Sequence, residues 1–225
     1  MEIDSNDYHD FVFKNGRLIG EFEQMYSKSA EVPWHQDRSA RSLDCRIALA
    51  LAATAGPFDT IRDIGCGLGY FLDALSALGA RGCRLEAYDV SPTATAKARS
   101  LFPYATFDVL DVTSPPESMR ERSAASATGA DRRLTTIRAC FWYLLPHMDR
   151  VVRNLRAITG DGQHLLVSQN FPPLDAPFVG KEVIPTPDRL LEHLAPCFQP
   201  LLTNGHEDRT SRGNDNILTA LLIAR

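Results

Sequence analysis

Apolar residues along this chain follow two rhythms, and the two take turns. Short apolar runs at about Thr60–Ile64, Arg84–Tyr88, Ala105–Val112, Leu134–Cys140, His164–Gln169 and Ile217–Ala224 read as strands. Between them, apolar positions recur at helical spacing: Leu43, Ile47 and Leu51 within 39–53, then Phe71, Leu72, Leu75 and Leu78, then Met148, Val151, Val152, Leu155 and Ile158. Punctuation agrees with this division. Ser91 as N-cap with Pro92 at the first helical position opens a helix through Ala98, Thr186-Pro187-Asp188 opens another through Leu194, and Gly160-Asp161-Gly162 closes a third. Strand and helix in alternation predict an α/β fold: a mostly parallel sheet with helices on both faces and an antiparallel strand near the C-terminus.

One corner of that pattern carries chemistry. The strand at Thr60–Ile64 runs through Asp63 into Gly65-Cys66-Gly67-Leu68-Gly69-Tyr70 and then into a helix, while the next strand delivers Asp89 to the same edge. Glycines there let a ligand lie against bare backbone, and a carboxylate at Asp89 can accept hydrogen bonds from both hydroxyls of a ribose. The spacing is G-x-G-x-G, with Tyr70 where a dinucleotide fingerprint needs its third glycine. A pyrophosphate wants an open helix N-terminus, so Tyr70 disfavours a nicotinamide cofactor and leaves an NAD-dependent reductase as a remote alternative. S-adenosylmethionine has no phosphate and tolerates a bulky residue at that point.

The string resembles motif I of the class I S-adenosylmethionine-dependent methyltransferases, with Arg62 in place of the customary leucine at a position pointing away from the loop. Asp89-Val90-Ser91-Pro92 resembles the second motif, and Asp111-Val112 falls where such enzymes hold the adenine amino group with a carboxylate and a backbone amide. The resemblance implies a Rossmann-like sheet of seven strands forming a single domain over 1–225. It also implies S-adenosyl-L-methionine as cofactor, with Asp63, Gly65, Cys66, Gly67, Gly69, Asp89, Val90, Asp111 and Val112 in its site. Read alone, Asp89 or Asp111 could be an ordinary strand-end turn former.

Composition narrows the partners. A chain of 225 residues with a formal charge of −4 and no Lys/Arg run or basic stripe argues against nucleic acid held through phosphates. Five scattered cysteines without a C-x-x-C pattern or secretory leader read as reduced thiols in a cytoplasm, and six histidines without H-x-x-x-H spacing give no zinc site. No apolar run is long enough for a membrane span. A small molecule is the expected partner, and homodimer formation stays open.

Two stretches are less regular. Residues 1–41 are polar but carry Tyr8, Phe11, Phe13, Phe22, Tyr26 and Trp34, which predicts a cap segment over the cofactor, with a short helix at Phe22–Tyr26 and a loop at 32–37 because Pro33 disfavours helix before it. The Ser/Ala-rich run at 113–133 has little to bury and reads as a flexible surface excursion with a few helical residues near 117–122.

Pro33-Trp34-His35-Gln36, Cys140-Phe141-Trp142-Tyr143, Gln169-Asn170-Phe171-Pro172-Pro173 and Phe178-Val179-Gly180-Lys181 are similar to small methyltransferases of bacterial surface-polysaccharide and secondary-metabolite pathways. Those include enzymes of O-methyl phosphoramidate decoration, and the Pro-Trp element is shared with rhizobial nodulation N-methyltransferases. The likeness implies methyl transfer to an oxygen of a sugar, phosphoryl-sugar or natural-product intermediate, with a small amine or amino sugar as the alternative. It adds Trp34 to the cofactor contacts, while position at the carboxyl ends of strands adds Phe141 to them and Trp142, Tyr143, Gln169 and Asn170 to the acceptor contacts, with Lys181 joining the latter for its charge.

Methyl transfer needs alignment and exclusion of water more than acid-base machinery. An alcohol acceptor must lose a proton, and His147 and His35 are the candidate bases. A phosphoryl oxygen would instead want cations, with Lys181, Arg138 and protonated His147 as candidates. Plainer readings compete. His147 could cap the helix at Met148, Trp34 could be a packing anchor, Gln169 and Asn170 could form a turn, and of Phe141 and Trp142 one should point inward, since adjacent residues at a strand end diverge.

Overall fold

A computed structural model describes residues 7–115, 131–209 and 215–225. The predicted helical residues near 117–122 lie outside the described residues, as does most of the predicted excursion. Strands β1 (Phe13–Lys14) and β2 (Arg17–Leu18) pair as a small antiparallel hairpin. Its turn is Asn15-Gly16, both at positive φ (51° and 70°), the dipeptide that matches the twist of paired strands. The helices α1 (Phe22–Lys28), α2 (Gln36–Ser39) and α3 (Leu43–Ala53) follow.

A seven-stranded sheet forms the body of the fold. It comprises β3 (Phe58–Ile64), β4 (Gly79–Asp89), β5 (Thr106–Val109), β6 (Arg133–Arg138), β7 (His164–Phe171), β8 (Phe198–Asp208) and β9 (Asp215–Ala224), in the spatial order β5-β4-β3-β6-β7-β9-β8. Neighbours from β5 through β7 are parallel, and β9 runs antiparallel to both β7 and β8. Among the described residues, α3 and the later helices α4 (Tyr70–Leu75), α5 (Pro92–Leu101), α6 (Met148–Thr159) and α7 (Pro187–Leu194) connect or cover these strands.

Strand alternation divides the core into two layers. Ile61, Leu134, Leu166 and Leu221 point to the face that carries α3, α4 and α5, whereas Leu165, Val167, Ala220 and Leu222 point to the face covered by α6 and α7. The apolar stripe of α6 is buried as its spacing predicts, with Val151 and Leu155 fully so, each contributing roughly 1.5–3 kcal/mol of transfer free energy. Ser91 and Thr186 cap α5 and α7 by accepting the amides of Ala94 and Arg189.

Helix α3 departs from its expected face. Its buried residues are Cys45, Ala48 and Ala52, while Leu43 is 63% exposed and Ile47 and Leu51 are only half-buried. The helix lies close on β9 and β7, and a close approach admits small side chains. The segment 32–37 is likewise no plain loop. Pro33 starts a 3-10 turn, Trp34 and His35 take left-handed backbone angles (φ 52° and 47°), and α2 begins at Gln36. Arg62 is buried on β3, donating to Glu86 at 2.7 Å and to the Ile158 carbonyl at 2.8 Å, so a guanidinium fills the place of the customary leucine by taking partners from both sides.

Candidate functional site

The parallel strands β3, β4, β6 and β7 all end at one edge of the sheet, where open α/β folds bind ligands. A cavity of about 540 Å³ lies there. Asp63 and Gly65 line it from the end of β3, Asp89 and Val90 from β4, Asp111 and Val112 after β5, Arg138 and Cys140 from β6, and Asn170 from β7. The N-terminal segment closes it with Phe22, Tyr26, Trp34 and Gln36.

The glycine corner is held from below and from the side. Gly65 has φ 72°, and a Cβ there would come within 2.5 Å of the Cys140 sulfur, so the bare backbone is needed as much by the neighbouring strand as by the cavity. At Gly67 (φ 54°) a Cβ would meet the Gln36 amide at 2.4–2.5 Å. Gly67 and Gly69 do not line the cavity; Gly69 packs on Phe107 instead. Three side chains fix the loop. Asp89 Oδ2 accepts the Gly67 amide at 2.8 Å, Gln36 Oε1 accepts the Leu68 amide at 2.8 Å, and Gln36 Nε2 donates to the Tyr26 hydroxyl at 2.9 Å.

Two acids sit deep in the site. Asp89 is 7% exposed, and its Oδ1 accepts the Ser91 amide at 2.9 Å. Burial pushes its carboxyl above the usual range against the pull of those amides. Asp63, 2% exposed, accepts the Thr136 hydroxyl at 2.6 Å. Burial pushes its carboxyl up to about 7, opposed by the Thr136 hydrogen bond and the charge of Arg138 and reinforced by Asp89. Arg138 itself is engaged, donating to Asp44 of α3 at 2.6 Å with its guanidinium 5.3 Å over the Phe71 ring. Cys66 and Cys140 are thiols whose ionisation burial pushes upward, so neither is poised as a nucleophile.

Several expected residues fall elsewhere. Phe141 is fully buried in the core, its amide donating to Gln169 Oε1 at 3.1 Å, while Trp142 lines the cavity, so the two neighbours do diverge. Gln169 is 1% exposed and holds that backbone rather than facing the cavity, where Asn170 does. Lys181 does not reach it. Its ammonium donates to the Leu174 carbonyl and, at 3.5 Å, to that of Ala176, near the Phe178 ring, tying its own loop together. His35 is exposed, with its ring edge-on to Tyr8 and outside the cavity. His147 lines the rim, exposed, and makes no side-chain cap to α6, which removes its competing role. Asp111 lines the cavity, its Oδ1 accepting the Thr113 amide and hydroxyl at 2.8 and 2.6 Å.

Some positioning residues escaped the sequence reading. Asn154, fully buried on α6, donates to the carbonyls of Val112 and Ser114 at 2.8 Å and so anchors the loop that carries Asp111. The signal was an amide beside Leu155 on an otherwise apolar stripe. Glu23 accepts the Ser91 hydroxyl at 2.5 Å and the Thr93 amide at 3.1 Å, joining α1 to the start of α5. Gln36, Tyr26 and Asp44 show their roles only once the N-terminal segment is folded back.

The strand order, with β9 inserted antiparallel between β7 and β8, and the cavity over the glycine corner define the class I methyltransferase fold. Among solved structures the chain is similar to the N-methyltransferase NodS from Bradyrhizobium japonicum WM9 in complex with S-adenosyl-L-homocysteine, at 17% identity and a TM-score of 0.66, covering 90% of this chain and 97% of that one. It is also similar to an S-adenosylmethionine-dependent methyltransferase from Mesorhizobium loti (16% identity, TM-score 0.59, 81% and 98% covered). A third is geranyl diphosphate methyltransferase in complex with GPP and sinefungin (14% identity, TM-score 0.60, 98% and 88% covered). No family model and no curated protein matches the sequence.

Proposed function

We propose that this chain is an S-adenosylmethionine-dependent methyltransferase acting on an oxygen of a small molecule. The observation that carries the reading is the cavity itself, laid across the ends of β3, β4 and β5 with Asp89 on its wall. Each Asp89 oxygen takes one backbone amide and keeps a lone pair for a ribose hydroxyl. Asp111 and the Val112 amide suit an adenine, and Asp63 suits the ammonium of an aminoacyl tail. The fold neighbours holding S-adenosyl-L-homocysteine and sinefungin support the same ligand class. An NAD-type pyrophosphate fits poorly, because the amides of Gly67 and Leu68 that would cradle it already donate to Asp89 and Gln36.

When bound, the cofactor supplies a methyl group already activated on a sulfonium. The chain's own task is placement. Trp142, Tyr143 and Asn170 border the acceptor side, the aromatic residues of the N-terminal segment exclude water, and His147 at the rim takes the proton an alcohol loses. Single-domain organisation, and a cap role for residues 1–41, belong to the same reading. So does reduced cytoplasmic thiol chemistry. Among the described residues no helix is long and apolar enough to cross a membrane, and no group of side chains could hold a metal ion.

Nitrogen as acceptor is the second reading, favoured by the likeness to NodS, an N-methyltransferase that aligns over 97% of its length. A phosphoryl acceptor has lost Lys181 as a partner. Calorimetric titration with S-adenosyl-L-homocysteine and with NAD tests the main reading: micromolar binding of the first alone is expected, and binding of NAD alone overturns it.

A further inference from the structure

Four aromatic side chains that border the cavity are in contact with one another. Ring centroids stand 5.2 Å apart for Phe22 and Tyr143, 5.9 Å for Trp34 and Tyr143, 6.2 Å for Tyr26 and Trp34, and 6.4 Å for Phe22 and Trp34. All four line the cavity, so together they make one continuous aromatic wall. Phe22, Trp34 and Tyr143 are half-buried and keep surface for a ligand. Nothing in sheet packing requires them there, since this cluster is separate from the two layers that cover the sheet.

The charges around that wall are mostly negative. Asp63, Asp89 and Asp111 line the same cavity, and Arg138, the lining guanidinium, is paired with a fourth carboxylate, Asp44, at 2.6 Å. Lys181, which might have served an anion, is held by its own loop. The upward-shifted carboxyls of Asp63 and Asp89 are what burial without a sufficient counterion produces. A ligand bringing positive charge would relieve them; a phosphate dianion would add to them. Ring faces favour a particular kind of cation, one that is large, alkylated and weakly hydrated.

Resting on the methyltransferase reading, we infer that the wall of Phe22, Tyr26, Trp34 and Tyr143 is an onium site, taking an alkylated cation from one of two sources: the sulfonium of the cofactor or the ammonium of an amine acceptor. The same carboxylates weigh against a phosphorylated acceptor.

Calorimetry on the full chain separates the sources. The first arm compares S-adenosylmethionine, which carries the cation, with S-adenosylhomocysteine, which lacks it, in the wild type and in Trp34→Leu and Tyr143→Leu. If the wall reads the cofactor, the wild type prefers the cation on the order of tenfold, both leucine variants lose that preference, and Tyr143→Phe keeps it. The second arm titrates choline and its uncharged isostere 3,3-dimethyl-1-butanol into protein saturated with S-adenosylhomocysteine. If the wall reads the acceptor, choline alone binds, and the leucine variants lose it while Tyr143→Phe does not. Equal affinity for the two cofactor forms together with choline no better than its isostere overturns the inference. Protein that binds neither cofactor form defeats the methyltransferase reading instead, and the choline comparison on unliganded protein still decides the onium site. Melting curves confirm that each variant is folded, and Phe22→Leu, which removes another ring of the same wall, carries the test should the Trp34 or Tyr143 leucine variant not fold.

Discussion

The two ends of the cavity are built differently. At the β3–β4 end, side chains from other elements hold the site: Asp89 and Gln36 take the loop amides of Gly67 and Leu68, and Asp63 is fixed by Thr136 one strand away. At the β6–β7 end the polar groups are few and looser, with His147 exposed on the rim and Trp142 donating to the Asn170 carbonyl at 3.2 Å. One end is pre-organised for a fixed ligand, the other is open to variation. Binding should therefore be lost by changes at the first and turnover by changes at the second.

The largest effect is expected from Asp89→Ala. It removes the proposed ribose acceptor and releases two backbone amides, so affinity for S-adenosyl-L-homocysteine should fall on the order of a hundredfold by calorimetry. His147→Ala should lower turnover by about tenfold to a hundredfold on an alcohol acceptor with cofactor affinity unchanged, a split visible by measuring both. An equal loss in binding would erase the distinction between the ends. Gln36→Ala frees the Leu68 amide and the Tyr26 hydroxyl and should cost about 1–3 kcal/mol, read as a lower denaturation midpoint together with weaker cofactor binding.

The pH response sharpens the contrast further. Asp63 is held protonated up to about pH 7 in the folded chain, so between the ordinary carboxyl range and about 7 the native state binds more protons than the unfolded one. Its contribution to stability is present at low pH and is lost as pH rises through that window. Asp63→Asn should flatten the fall in melting temperature over the same range, and binding of an ammonium-bearing cofactor tail should tighten as Asp63 ionises. The smallest effects belong to Lys181→Ala and His35→Ala, both off the cavity, where kcat/KM should stay within about twofold.

How far the chain could be read follows the same division. The corner from Asp63 to Tyr70 and the Ser91 and Thr186 caps were legible because each is a run of adjacent residues, and Asp89 because it ends the next strand. The stripe of α6 was legible because its period is unbroken. Helix α3 was not: the larger apolar residues suggested the wrong face, since a helix lying close on β9 admits Cys45, Ala48 and Ala52 and turns Leu43 outward. Strand β8 went unseen because it lies at the sheet edge, is mostly exposed and contains Pro200, which reads against a strand. The β1–β2 hairpin carries an Asn-Gly signal, but its strands of two residues each are too short to show alternation. At the site, Lys181 and His35 were candidates for their charge and basicity, yet their positions depend on how the segments 172–186 and 32–37 fold. Gln36 and Asn154 act across the fold, from 32 and 42 residues away, and no local pattern could reveal their partners.

Three of the four rings in the aromatic wall arrive on the first 41 residues, fastened by Glu23, Gln36 and the Lys97 ammonium on the Tyr26 carbonyl rather than by any strand of the large sheet. Under the proposed function, recognition is thus carried on a part the scaffold does not own. Limited proteolysis ahead of α3 should leave the sheet intact while abolishing ligand capture, and evolution could retailor what this molecule accepts by editing that leading stretch alone.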